Sequence, residues 1–188
     1  MARKKQTKAR VLCSQVRFRG KVFRVTSETV VEPGGITARR DVVRHPGSVV
    51  VLAVADGVRG PSVLLERQYR HAAGDFLWEL PAGRIDRGES VLAAARRELL
   101  EETGYSAWRW KRALVFYSSP GFLDETMTVY LARGLKAGRA QPEPDELISI
   151  RLFPLAIAMR MALRGTIRDG KTLAALFWFA GVKGGRQR

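Results

Sequence analysis

Residues 83–105 read GRIDRGESVLAAARRELLEETGY. From Ser90 to Thr103 this stretch is built for an α-helix. Ser90 suits an N-cap, where a hydroxyl accepts a backbone N–H. Alanines fill the body, and Leu92, Ala95 and Leu99 recur at helical spacing as a buried stripe. Gly104 stands where a left-handed residue ends a helix. Glu98, Glu101 and Glu102 lie together on this helix, with Glu89 upstream. Glu98 and Glu102 are four apart and share a face, and Glu101 is three from Glu98. Like charges at that spacing repel by a few tenths of a kcal/mol per pair. Two readings are open. The acids form an ordinary solvated face, or they converge as oxygen ligands for Mg²⁺ or Mn²⁺, which would relieve the repulsion.

Upstream of the helix the pattern is extended. Val11–Val25 reads as extended, with branched and aromatic residues among arginines. Thr29–Glu32 and Ile36–Val43 flank a Pro33-Gly34-Gly35 turn. Val49–Ala55 (VVVLAVA) is a continuous apolar run, the mark of a strand buried on both faces. Val63–Tyr69 and Phe76–Leu80 follow, with Pro81-Ala82-Gly83 as a break. Downstream, Ala113–Tyr117, Met127–Ala132 and Leu147–Phe153 read as strands. Leu155–Leu163 and Thr172–Ala180 read as helices. Mixed strands and helices predict an α/β layered fold. The predicted organisation is a basic tail over 1–10, an N-terminal β extension over 11–47, a main domain over 48–181 and a second basic tail over 182–188.

The 188 residues carry 33 Lys plus Arg against 18 Asp plus Glu, a net charge of +15. That excludes a generally acidic protein and points to a polyanion partner. Residues 1–10 hold Arg3, Lys4, Lys5, Lys8 and Arg10 with no acid, and residues 182–188 hold Lys183, Arg186 and Arg188. The tails are expected to be disordered and to offer weak nucleic-acid contact at most. One cysteine, Cys13, excludes an internal disulfide framework, and two histidines argue against a His-rich metal site. No apolar run is long enough to span a bilayer, and the start lacks a secretory pattern. A cytoplasmic location is the expectation.

Gly83, Glu89 and the block Arg97-Glu98-Leu99-Leu100-Glu101-Glu102-Thr103-Gly104-Tyr105 stand at the spacing GX5EX7REUXEEXGU. This resembles the box of the Nudix hydrolases. Every fixed position matches, and Tyr105 at the last aliphatic position is the one soft departure. The resemblance implies an α/β/α sandwich and metal-dependent hydrolysis of a nucleoside diphosphate linked to another moiety. ELPAG (79–83) leads into the box, and Pro120 lies sixteen residues after Gly104. With RRDVVRHPGSVVVLAV (39–54), ERQYRHAAGDFLWELPAG (66–83) and DGKTLAALFWF (169–179), these segments resemble the ADP-ribose pyrophosphatase subgroup. That implies cleavage of ADP-ribose to AMP and ribose 5-phosphate. Another nucleotide sugar such as GDP-mannose, or an RNA-associated cap or nucleotide substrate reached through the basic tails, is the alternative.

Carried over by position, Glu98 and Glu102 are metal ligands, Glu101 is a ligand or assists one, and the Ala82 carbonyl is another. Arg97 orients a neighbouring glutamate, and Glu89 is either structural or metal-related. Arg70 contacts substrate phosphate, Glu79 contacts ribose or a metal-bound water, and Pro120 and Phe122 line the substrate. The base comes from the 138–146 loop, with Glu146 first, then Glu143, and Asp145 beside them. Phe18 or Phe23 stacks on adenine. The resemblance also implies a homodimer formed through the β extension, whose strand edges need a partner.

Overall fold

The computed structural model describes residues 8–141 and 147–184. Glu143, Asp145 and Glu146, and most of both basic tails, lie outside the described residues. The chain forms two compact units. Of the described residues, one comprises those up to Gly47 together with Tyr117–Thr126, and the other Ser48–Phe116 with those from Met127 onward. The segment 117–126, expected within the main domain, packs instead with the N-terminal unit. Backbone bonds tie it there: Val43 N–H donates to Phe122 O at 2.8 Å and Asp124 N–H to Val43 O at 3.1 Å.

The N-terminal unit is a three-stranded antiparallel sheet of β1 (Arg10–Arg19), β2 (Arg24–Val31) and β3 (Thr37–Arg44), in that order. The stretch read as extended over Val11–Val25 spans β1 and the start of β2. The chain reverses at Gly20, whose N–H donates to Phe23 O at 2.9 Å. Lys21-Val22-Phe23 carries no turn residue, so composition hid the reversal. β2 itself carries a buried carboxylate, Glu28. It accepts from Arg44 (2.7 Å to each oxygen), Thr26 (3.1 Å) and Ser14 (3.3 Å). Those bonds, the Arg44 ones foremost, hold its carboxyl below the ordinary range.

The second unit is built on a seven-stranded sheet. β4 (Ser48–Ala55) runs parallel to β9 (Thr126–Ala137) and antiparallel to β5 (Ser62–Arg70) and β7 (Ala82–Arg84). β6 (Asp75–Glu79) pairs with β5, while β10 (Ile148–Pro154) and β8 (Tyr105–Tyr117) close the two edges of the main order β10-β5-β4-β9-β8. All of β4 but Ala55 is buried, as its uninterrupted apolar run requires. Alternate residues serve opposite faces. Val50, Leu52 and Val54 pack with Ala158 of α2 (Leu155–Leu163) and with Leu176 and Phe179 of α3 (Gly170–Gly184). Val49, Val51 and Ala53 pack with Ala94, Ala95 and Leu99 of α1 (Val91–Thr103). The sheet is thus held between one helix and two, an α/β/α sandwich. No helix among the described residues is long and apolar enough to cross a membrane.

Candidate active site

Helix α1 starts and stops as its sequence dictates. Ser90 Oγ accepts the Ala93 N–H at 3.2 Å. Gly104 ends the helix at φ 71°, with its N–H on Leu100 O at 2.8 Å. The buried face differs from the expected stripe. Leu92 is half-buried, and the buried set is Ala94, Ala95, Glu98, Leu99, Glu102 and Thr103. Two glutamates thus sit on the covered side, which rules out a plain solvated face for them. Glu101 is the more exposed of the three box acids on the helix.

Arg97 knits these acids together. Its Nε and Nη2 donate to Glu89 at 3.1 and 3.0 Å. Nη1 reaches Glu98 at 2.8 Å and Glu101 at 3.0 Å, and Nη2 also donates to Arg84 O at 3.0 Å. A planar fork of five donors is the side chain suited to this. The Glu89 hydrogen bonds are the largest influence raising the Arg97 pKa, and reciprocally they hold the Glu89 carboxyl below its ordinary range. Arg97 therefore bridges the Glu89, Glu98 and Glu101 carboxylates.

Strand β7 supplies the other wall. A Cβ placed on Gly83 would overlap the Glu98 carboxylate, so glycine is what admits that side chain. The Ala82 N–H donates to Glu102 Oε2 at 3.0 Å. Among the described residues no three Asp, Glu, His or Cys side chains form a ready-made cage for a metal. The donors present are nonetheless hard oxygens on one buried helix face beside a backbone strand. That set fits a divalent cation that keeps open positions for water and substrate phosphate, as Mg²⁺ does.

A second network fixes the turn that leads into β7. Arg70 meets Glu79 with two parallel bonds, Nε to Oε1 at 3.0 Å and Nη2 to Oε2 at 2.9 Å. Lys171 Nζ also bonds Glu79, and reaches Asp169 at 3.0 Å. Burial alone would raise the Glu79 carboxyl, yet the Arg70 bonds and the Lys171 charge outweigh it and hold it low. Burial would likewise depress Lys171, but Asp169 and Glu79 leave it raised. Asp169 caps α3 through Thr172 N–H at 2.9 Å, and Thr172 Oγ1 accepts the Leu80 N–H at 2.8 Å. Sequence reasoning placed Arg70 and Glu79 separately and missed Asp169, Lys171 and Thr172 as parts of the site's support. Their only sequence signal was the DGKT start of a helix.

Pro120 and Phe122 belong to the N-terminal unit, where they line a cavity of about 430 Å³ with Arg40, Arg44 and Tyr117. Phe23 lines another there, of about 360 Å³, with Arg19, Arg24, His45 and Asp124. Phe18 packs on Phe23, ring centroids 5.8 Å apart.

The chain is similar to the ADP-ribose pyrophosphatase of Bacillus subtilis strain 168, at 33% identity over 92% of each chain. It is similar to the ADP-ribose pyrophosphatase of Mycobacterium tuberculosis strain H37Rv at 38% identity, over 88% of this chain and 80% of that one. A solved structure, described as an ADP compounds hydrolase, shares the fold with a TM-score of 0.81 at 23% identity, covering 98% of both chains. The NUDIX domain model matches residues 44–176, a span that takes in both walls of the acidic site. By that match, and by relatives aligned along nearly its whole length, the chain belongs to the Nudix family.

Proposed function

We propose that this chain hydrolyses the pyrophosphate of ADP-ribose, or of a closely similar nucleoside-diphosphate sugar, to AMP and a sugar phosphate. The supporting observation is the pair of relatives named ADP-ribose pyrophosphatase, matched over 92% and 88% of this chain. Nudix hydrolases use divalent metals. Mg²⁺ or Mn²⁺ is the proposed cofactor here, with Glu98, Glu102 and the Ala82 carbonyl as ligands and Glu101 as a further ligand or its support. When bound, such a cation neutralises pyrophosphate charge and makes water a stronger acid.

The chain's own residues do the positioning. Arg97 holds Glu89, Glu98 and Glu101 in place before substrate arrives, so little reorganisation is left for the reaction itself. Glu79, fixed between Arg70 and Lys171, anchors the turn that presents Ala82. Arg70 spends two N–H groups on Glu79, and its others are proposed to meet substrate phosphate. Glu146, with Glu143 next, is the proposed base for the attacking water. Pro120 and Phe122 are proposed substrate contacts on the resemblance alone.

A homodimer formed through the N-terminal unit is proposed as well. β1 is a sheet edge with Val11, Leu12, Val16 and Phe18 about half exposed, an arrangement that favours a partner. A cytoplasmic location accords with the exposed free thiol of Cys13. The test is incubation with ADP-ribose and Mg²⁺ or Mn²⁺, with and without a chelator, followed by chromatography. AMP and ribose 5-phosphate are expected only with free metal. Absence of AMP at micromolar enzyme overturns the assignment, and faster cleavage of GDP-mannose in the same panel moves the substrate there. Light scattering on the eluting protein reads the dimer.

A further inference from the structure

At the β8 edge of the large sheet, β8, β9 and the C-terminal half of α3 enclose a cavity of about 440 Å³. It shares no residue with the box, with the Glu79 network or with the N-terminal unit. Three cations line it, Arg109, Lys111 and Arg133, and three aromatic side chains, Trp110, Trp178 and Phe179. The Arg133 guanidinium lies 5.6 Å from the Phe179 ring centroid. Asp56 pairs with both Arg109 (3.4 Å) and Arg133, so one carboxylate serves two of the three cations and the cavity keeps an excess of positive charge. Beside it Trp108 is 72% exposed, with Arg109 stacked 4.5 Å from its ring centroid.

The strand that carries these groups reads Trp108-Arg109-Trp110-Lys111-Arg112, an alternation of indoles and cations. The basic N-terminal run lacks any such interleaving. Cations set on aromatic walls suit an anion that also carries a flat ring. A purely apolar ligand would cover cations that Asp56 compensates only in part, and a bare inorganic anion would leave the rings unused.

We infer that this cavity binds a nucleotide unit of single-stranded nucleic acid, its base stacked on Trp178 or Trp110 and its flanking phosphates on Arg109, Lys111 and Arg133. Rings plus a basic groove are how single strands are held without sequence reading. The inference accounts for positive charge on the folded part of the chain, outside the two basic tails.

The test is fluorescence polarisation of a labelled uridine octanucleotide in the absence of divalent metal. UMP is titrated as a competitor in parallel. Arg109→Glu with Lys111→Glu changes exposed residues and should weaken octamer binding at least tenfold, lower the salt dependence, and leave ADP-ribose turnover unchanged. Trp178→Ala should weaken it about tenfold or more. Octamer binding much tighter than UMP assigns the site to a single strand, and equal binding assigns it to the free nucleotide. Octamer affinity unchanged in the double-Glu variant, or insensitive to salt, overturns the inference. The readout does not depend on turnover, so it stands or falls separately from the proposed hydrolase activity.

Discussion

Lys171→Met tests the reasoning about the turn before β7 most directly. The Glu79 side chain is 2% exposed and that of Lys171 is 10% exposed, so both charges are out of water. Removing one partner of a buried pair costs about 3–5 kcal/mol. Arg70 stays on Glu79 with two bonds, which places the expected loss at the low end, about 3 kcal/mol. For a chain of this length each kcal/mol moves the melting temperature by about 2–4 °C, so a fall of about 6–12 °C is expected at neutral pH. The pH dependence supplies a second check. The folded Glu79 carboxyl lies below its ordinary value of 4.5, so its contribution is complete above that pH and fades as pH falls through the lower folded value. Lys171 is raised above its ordinary 10.5, so its contribution is complete below that pH and fades as pH rises through the higher folded value. The gap between wild type and variant should therefore be widest and flat between these limits, and narrow in acid. Glu79→Gln combined with Lys171→Met removes the buried Glu79 charge; Arg70 is 35% exposed and can be hydrated, and Asp169 keeps the Thr172 N–H and hydroxyl as donors. It should recover part of the loss. Thermal melts followed by far-UV circular dichroism read all of this. A fall under about 2 °C at neutral pH, or a gap that persists unchanged in acid, refutes the account.

Three other changes follow from the box. Gly83→Ala puts a methyl group where the Glu98 carboxylate lies. ADP-ribose turnover should fall about a hundredfold, as small misplacements do, with helix content unchanged by circular dichroism. Arg97→Lys keeps the charge but cannot span Glu89, Glu98, Glu101 and the Arg84 carbonyl at once. Turnover number should drop on the order of tenfold or more while KM moves little, which steady-state kinetics will separate. Gly104→Ala forces a left-handed φ of 71° on a residue with a Cβ, and that Cβ would meet the Ala140 backbone nitrogen at 2.5 Å. A loss of more than about 2 kcal/mol is expected in a denaturant titration.

Much of this was legible in the chain because it is local. The cap at Ser90, the stop at Gly104 and the α2 bounds Leu155–Leu163 follow from backbone chemistry within a few residues. The apolar run of β4 announced a strand buried on both faces, and the spacing from Gly83 to Tyr105 announced the box. The Gly20 reversal escaped because the turn is made by one glycine and closed by a backbone bond that leaves no compositional trace. β7 escaped because Ala82–Arg84 is too short and too small to show any period.

The sequence by itself determined the helix, its caps and the order of its acids. Each depends on neighbours three or four residues away. Only the tertiary structure decided which of those acids are buried, because that depends on β7 passing close enough for Gly83 to admit Glu98. Only it joined Lys171 to Glu79, residues 92 apart along the chain. Such a contact is set by how α3 packs on the sheet, and no local pattern encodes that packing.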